Sequence, residues 1–433
     1  MRATDRISSI PNGVAALILA ACAIVLTACS PTQPGVTEVE IWAMGREGEI
    51  LPELLNEFEA KHPAIRVKVQ KIPWTAAHEK LLTAFVGGAL PDVAQLGNTW
   101  IAEFAALDAL TDLTAPLNAS TAIDRRDYFP GVWATNVVDG SVFGVPWYVD
   151  TRLLFYRTDL LAKAGFDHPP RDWAELRQAC EAVKKAAGPG NYAFLLPLNE
   201  FGPQLMLALQ QDDPTLRENG QFGNFSSSGQ RAALDFYLSF FRDGLAPPAT
   251  DSEIANVWNE FARGYFSFYI TGPWNIGNFR ERLPQDLQDA WMTAPLPGPD
   301  GPGASIAGGS SLVVFKTSKH TKAALQLVEF LAKPEIQARF YALSGNLPPR
   351  RSSWDFPETR SDPHIAAFRD QLERTVPAPQ VPEWERIAQE LRIVTEKAVH
   401  ENWDAETAAR ELDSRIDAIL EKRRWMLARK RDA

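Results

Sequence analysis

Glu38-Val-Glu-Ile-Trp-Ala-Met44, Ile65-Arg-Val-Lys-Val-Gln-Lys-Ile72 and Pro91-Asp-Val-Ala-Gln-Leu96 have strand character, and each precedes a stretch of helical spacing. Gly45 ends the first run, and Glu49 to Lys61 then carries Leu51, Leu54, Leu55 and Phe58 on one helical face until Pro63. Pro73-Trp74 turns the second run into a helix over Thr75 to Val86, with Thr75 as its cap and Gly87-Gly88 as its stop. Gly97-Asn98-Thr99 leads the third into a helix from Trp100 to Ala106. Three strand–helix units in succession predict an α/β fold built on a mostly parallel, helix-covered sheet.

The alternation resumes past Arg157. Asp172 caps a helix that runs to Ala187 and stops at Gly188, and Tyr192 to Leu196 reads as a strand. Helices over Ser226 to Arg242 and Ser252 to Arg263 precede a strand from Tyr265 to Ile270 and the turn Thr271-Gly-Pro-Trp-Asn275. Residues 295–304 hold four prolines and three glycines and read as an irregular connection. Ser311 to Phe315 is a short strand, helices follow to Leu343, and Ser344-Gly-Asn-Leu-Pro-Pro349 breaks the pattern again.

At 433 residues the chain exceeds one ordinary core, so two domains are expected. A net charge of −10 argues against a nucleic-acid partner, which would require a basic face. The basic runs Lys422-Arg-Arg424 and Arg429-Lys-Arg431 fit a solvated helix end. Arg2 and Arg6 precede an apolar run from Val14 to Leu26, followed by Thr27-Ala28-Cys29. This arrangement resembles the bacterial lipobox, which implies removal of residues 1–28 as a signal peptide, a diacylglycerol on Cys29, and a tether over residues 29–36. Cys180 would then be the one thiol left, on a helical face with Trp173, Leu176 and Val183, and reads as core packing. Six scattered histidines with no paired ligand spacing argue against a metal site, and no Gly-rich phosphate loop follows a strand, so no cofactor is expected.

Gly144-Val-Pro-Trp-Tyr-Val-Asp-Thr-Arg-Leu-Leu-Phe-Tyr-Arg157 joins the two halves. Asp150 lies within three residues of Trp147 and Tyr148, and a carboxylate beside flat apolar rings suits a sugar, with hydroxyls at its rim and C–H groups on its faces. Ile41-Trp-Ala-Met-Gly-Arg-Glu-Gly48, Glu57-Phe-Glu-Ala-Lys-His-Pro-Ala-Ile65, Val145-Pro-Trp-Tyr-Val-Asp150 and Phe155-Tyr-Arg-Thr-Asp-Leu160 occur here in collinear order. With Ile270-Thr-Gly-Pro-Trp274, Gly308-Gly309 and Gly345-Asn-Leu-Pro348, they resemble the sugar-binding lipoproteins of bacterial ABC importers, of the maltose/trehalose-binding type. The resemblance implies two α/β lobes joined by a three-segment hinge: lobe 1 over 37–150, lobe 2 over 151–305, a return to lobe 1 over 306–348, and C-terminal helices of lobe 2 over 349–433. It also implies a neutral di- or oligosaccharide ligand, permease subunits as partners, a lipid-anchored extracytoplasmic location, and action as a monomer.

Ligands of open α/β sheets sit beyond the carboxyl ends of strands. That rule selects Glu47, Trp74, Asn98 and Trp100 from the first units, Tyr148 and Asp150 from the connecting stretch, Trp274 from the second half, and Gly309 with Ser310 before a late strand. In the family's terms Asp150 matches a position that hydrogen-bonds sugar hydroxyls and Trp274 a stacking aromatic. Arg351 falls where relatives use a cation or tryptophan, with Arg350 and Trp354 as rivals, while Trp147 reads as packing. Two other functions compete. A secreted glycoside hydrolase would need two carboxyl groups about 5–10 Å apart, for which Glu47 and Asp150 are the candidates. A ligand sensor uncoupled from transport would share every feature above.

Overall fold

The computed structural model describes residues 35–431 apart from Ala255. Residues 1–28, Cys29 and most of the tether expected after it lie outside the described residues. The buried apolar side chains of the described chain run from Val39 to Leu420, so that span contains its cores.

Strand β1 (Thr37–Met44) shows why the first units fold as they do. Its period of two sends Val39, Ile41 and Ala43 to one side of a sheet, and Trp42 and Met44 to the other. Helix α1 (Gly45–Lys61) covers the first side with Leu51, Leu54, Leu55 and Phe58. Strand β2 (Ile65–Ile72) pairs in parallel with β1, and α2 (Trp74–Val86) covers the second side with Ala77, Leu81 and Ala84. Strand β3 (Val93–Gly97) pairs in parallel on the other flank of β1 and leads through a 3-10 turn, Asn98–Trp100, into α3 (Ile101–Ala106). Strand β4 (Val145–Tyr148) completes this pass.

The chain then enters a second sheet at β5 (Leu153–Arg157). Helix α4 (Trp173–Ala187), β6 (Phe194–Leu195), α5 (Gly202–Leu209), α6 (Ser228–Arg242), β7 (Phe268–Thr271), α7 (Trp274–Arg282) and β8 (Trp291–Ala294) follow. It returns to the first sheet as β9 (Ser310–Val314), then forms α8 (Thr321–Leu331) and α9 (Pro334–Ser344) against it. After Leu347, residues 350–360 still pack beside α9, through Arg350 on the Ala332 carbonyl and Ser353 on Gln337. The helix Pro363–Leu372 then brings the chain onto β8 of the second lobe, where it ends in α10 (Trp384–His400), α11 (Ala405–Ile419) and α12 (Glu421–Arg431).

The sheet orders are β2-β1-β3-β9-β4 and β8-β5-β7-β6. Both are mostly parallel, each with one strand running against the rest. β9 runs antiparallel to β3 and β4, and β5 antiparallel to β7 and β8. The cause is the crossings: a strand entering from the other lobe starts at the cleft edge, where the strands native to the sheet finish. Ser310, the first residue of β9, accordingly faces Gly97 and Tyr148, the last residues of β3 and β4.

Smaller departures have local causes. Residues 297–302 are not irregular but form a two-residue-per-strand hairpin, Pro297–Gly298 against Gly301–Pro302. The helix expected from Ser252 begins only at Val257. Thr250 instead closes a turn with Glu253, whose carboxylate accepts from the Thr250 N–H at 2.7 Å and hydroxyl at 2.8 Å. Cys180 is fully buried beside Leu176 and Val183, and burial pushes its thiol up, away from reactivity.

Candidate functional site

The strand ends converge on a cleft of about 620 Å³ between the two lobes. Nine of the ten residues selected from sequence line it: Glu47, Trp74, Asn98, Trp100, Tyr148, Asp150, Trp274, Gly309 and Ser310. They come together because β1, β3 and β4 end, and β9 begins, at one edge of the first sheet, while β7 ends opposite them.

The first lobe supplies an aromatic wall. Trp74 opens α2 and meets Trp100 edge-on at 5.8 Å, and Trp100 lies 5.1 Å from the ring of His78. Behind it His78 Nε2 and Glu103 Oε2 are 2.7 Å apart, and that carboxylate raises the imidazole's pKa. The second lobe answers with Trp274, which is 40% exposed and folds over Gly272. A Cβ on Gly272 would overlap the indole, so only glycine admits this rotamer. Arg152 lies 5.5 Å from the Trp274 ring and forms an ion pair with Glu200, and Phe201 completes this side.

The floor is polar. The Tyr148 hydroxyl accepts from Gln95 Nε2 and from Ser310 Oγ, each at 3.1 Å, so it keeps its own proton to donate. Burial, then the Glu47 charge, pushes its pKa well above the usual value. Glu47 sits in the first turn of α1 because that helix begins at Gly45, not at Glu49, and Asn346 Nδ2 donates to its Oε1 at 2.8 Å. Asp150 differs from every other carboxylate here: no donor from the described residues reaches it. Burial raises its pKa, Arg152 opposes that, and Glu47 adds to it. The Gly308-Gly309 pair makes room for this group. A Cβ on Gly308 would enter the Asp150 carboxylate, and Gly309, at φ +109°, lies against the Tyr148 carbonyl.

Asn98 is nearly buried, and both ends of its amide are engaged by protein. Its Nδ2 donates to the Gly308 carbonyl at 3.1 Å, and its Oδ1 accepts from Ser311 Oγ at 2.9 Å. It therefore locks the start of β9 to the end of β3.

Arg351 is not in the cleft, and its assignment is corrected. It grips Glu373 at 2.6 and 2.9 Å, donates to the Tyr128 carbonyl and lies over Phe129. The rivals are structural as well. Arg350 is buried on Asp127, and the Trp354 indole donates to the Pro348 carbonyl at 3.0 Å. This segment reaches the cleft instead through Asn346. Arg152 was also missed. It stands two residues beyond Asp150, between β4 and β5, and the period of two carried on from those strands would put both on one face and could have revealed it.

Among the described residues no group of three or more His, Cys, Asp or Glu side chains is placed to hold a metal ion. No described helix is long and apolar enough to cross a membrane. The arrangement can clasp a flat, hydroxyl-rich ligand between rings, with an acceptor at the floor.

Comparison with known proteins agrees with this geometry. Residues 43–338 match the family profile of bacterial extracellular solute-binding proteins. The solved sugar-binding protein MalE of Xanthomonas citri shares 54% identity and superposes with a TM-score of 0.89, over 90% of this chain and 99% of that one. A putative binding protein of Brucella abortus is 27% identical over 381 residues, 87% of this chain and 91% of its own length. A maltooligosaccharide ABC transporter solute-binding lipoprotein of Streptococcus pneumoniae is 23% identical over 423 residues, 95% of this chain and 96% of its own.

Proposed function

The chain belongs to the bacterial extracellular solute-binding proteins, and from that premise we propose that it captures a neutral di- or oligosaccharide in the interlobe cleft for an ABC importer, with α-glucosides of the maltose/trehalose kind favoured. The observation that carries the ligand class is the pairing of Asp150 with the rings around it. A partly buried carboxylate with no protein donor, facing Trp74 and Trp100 from one lobe and Trp274 from the other, needs hydroxyls to satisfy it and C–H faces to fill the space. An anionic ligand is disfavoured. Arg152 is neutralised by Glu200, and the other lining cation, Arg46, is offset by Glu47, which leaves Asp150 as the uncompensated charge.

The mechanism is hinge closure. The chain passes between lobes at 149–152, at 306–309 and after Leu347, and Val149 pairs with Leu347 across two of these crossings. A sugar touching both lobes has higher affinity for the closed state, and that difference drives closure. In this reading the chain is a receptor and not an enzyme, exported by its leader, held by lipid on Cys29, and docked on permease subunits when closed. Calorimetric titration with maltose, trehalose, maltotriose, sucrose and glucose, with chromatography of each sugar afterwards, tests it. Saturable binding with the sugar intact is expected. Hydrolysis products would overturn the receptor reading, and silence across the panel would overturn the α-glucoside assignment.

A further inference from the structure

The cationic run near the end of the sequence has no part in the cleft. Residues 422–431 contain six Lys or Arg and no acid, on a chain of net charge −10. They lie on α12, which the described residues fasten to the second lobe along one side. Arg424 donates to the carbonyls of Gln221 at 2.8 Å and Asp417 at 2.9 Å, and it lies over the Phe222 ring. Arg423 faces Glu383 at 3.9 Å.

Among the described residues nothing covers the opposite side. Lys422, Trp425, Met426 and Arg429 follow the i, i+3, i+4, i+7 spacing that makes one stripe on a helix, and all four are exposed. Trp425 is 56% and Met426 40% exposed, and Arg429 stacks over the indole at 4.0 Å. The other exposed tryptophans of the described chain, Trp74 and Trp274, line the cleft. Trp425 has no such duty.

We infer that this stripe docks on an anionic phospholipid surface, with Trp425 and Met426 at headgroup level and Lys422 and Arg429 on lipid phosphates. Tryptophan favours the membrane–water interface, and an apolar pair flanked by cations on one helical face is the pattern of an interfacial helix. Positive charge on an otherwise acidic chain selects an acidic surface. Charges alone would serve for an acidic protein, whereas the adjoining indole and thioether favour a bilayer, which accepts both. The contact is independent of lipid on Cys29 and would set which face of the second lobe lies against the membrane.

The test uses residues 35–433, which include the complete cores, sedimented at low salt with phosphatidylglycerol-rich or pure phosphatidylcholine vesicles. Binding to the anionic vesicles alone is expected, and it weakens as salt rises. Lys422→Glu with Arg429→Glu lowers the bound-to-free ratio by about tenfold or more, because each cation near the leaflet contributes severalfold. Trp425→Ser lowers it severalfold with every charge kept. Both variants melt with the parent, since these side chains lie outside the cores. Absence of parent binding, equal binding to both vesicle types, or unchanged binding by the variants would overturn the inference. So would a vesicle-independent dimer abolished by the same substitutions, which would assign the stripe to a second copy.

Discussion

Thr99 Oγ1 donates to Glu385 Oε1 at 2.6 Å, which ties the turn after β3 in the first lobe to the first turn of α10 in the second. A hydrogen bond to a charged acceptor contributes about 1.5–3 kcal/mol, and this one exists only while the lobes are together. It therefore belongs to the closure equilibrium. Glu385→Ala, which does not line the cleft, should open the ligand-free protein, raising its radius of gyration in X-ray scattering, and weaken sugar binding severalfold. An unchanged radius and affinity would show that the contact is incidental.

Asp150 links affinity to pH. Its folded pKa is raised above the ordinary carboxylate value by burial. Donors on a bound sugar favour the ionised form, so affinity is full above that raised pKa and falls as pH drops through it. Stability has the opposite sign. Between the unfolded and folded pKa values the native state holds the extra proton, so stability declines as pH rises across that window. Asp150→Asn should therefore raise the melting temperature at neutral pH, weaken binding about tenfold or more, and flatten the pH profile of affinity measured by calorimetry.

Gly308→Ala separates geometry from charge. The added methyl enters the space of the Asp150 carboxylate, so binding should fall about as far as in Asp150→Asn, while the pH profile of the residual affinity changes because the displaced carboxylate is better solvated. Binding equal to the parent would mean that the floor can yield there.

Two tryptophans should behave oppositely. Trp274 is 40% exposed over the cleft, so Trp274→Ala should cost about 2 kcal/mol or more of binding with little change in melting. Trp147 is buried and stacks on Phe340 at 4.5 Å, so Trp147→Ala should cost about 3–5 kcal/mol of stability. Melting curves and titrations of the pair distinguish ring stacking on ligand from ring packing in a core.

Most of the cleft was legible because its residues follow strand ends, and strand ends are marked by glycine and alternation. Glu47, Asn98, Tyr148 and Trp274 could all be found that way. What escaped depends on relations between distant segments. Asn346 reaches Glu47 across almost three hundred positions of sequence, and nothing local marks Arg351 as a cation for Glu373 instead of for ligand. Asn98 lines the cleft, but its amide partners, Gly308 and Ser311, lie just before and on a returning strand that no local pattern pairs with it. The antiparallel entry of β5 and β9 escaped for the same reason.

The central claim is that one sugar bridges both lobes. Small-angle X-ray scattering of the protein with and without the tightest-binding sugar, repeated on Trp100→Ala from one lobe and Trp274→Ala from the other, measures this directly. The account predicts a fall in the parent's radius of gyration at saturating sugar, with a much higher sugar concentration needed in both variants. A radius that stays constant while heat of binding is recorded, or a response that only one variant alters, would contradict it.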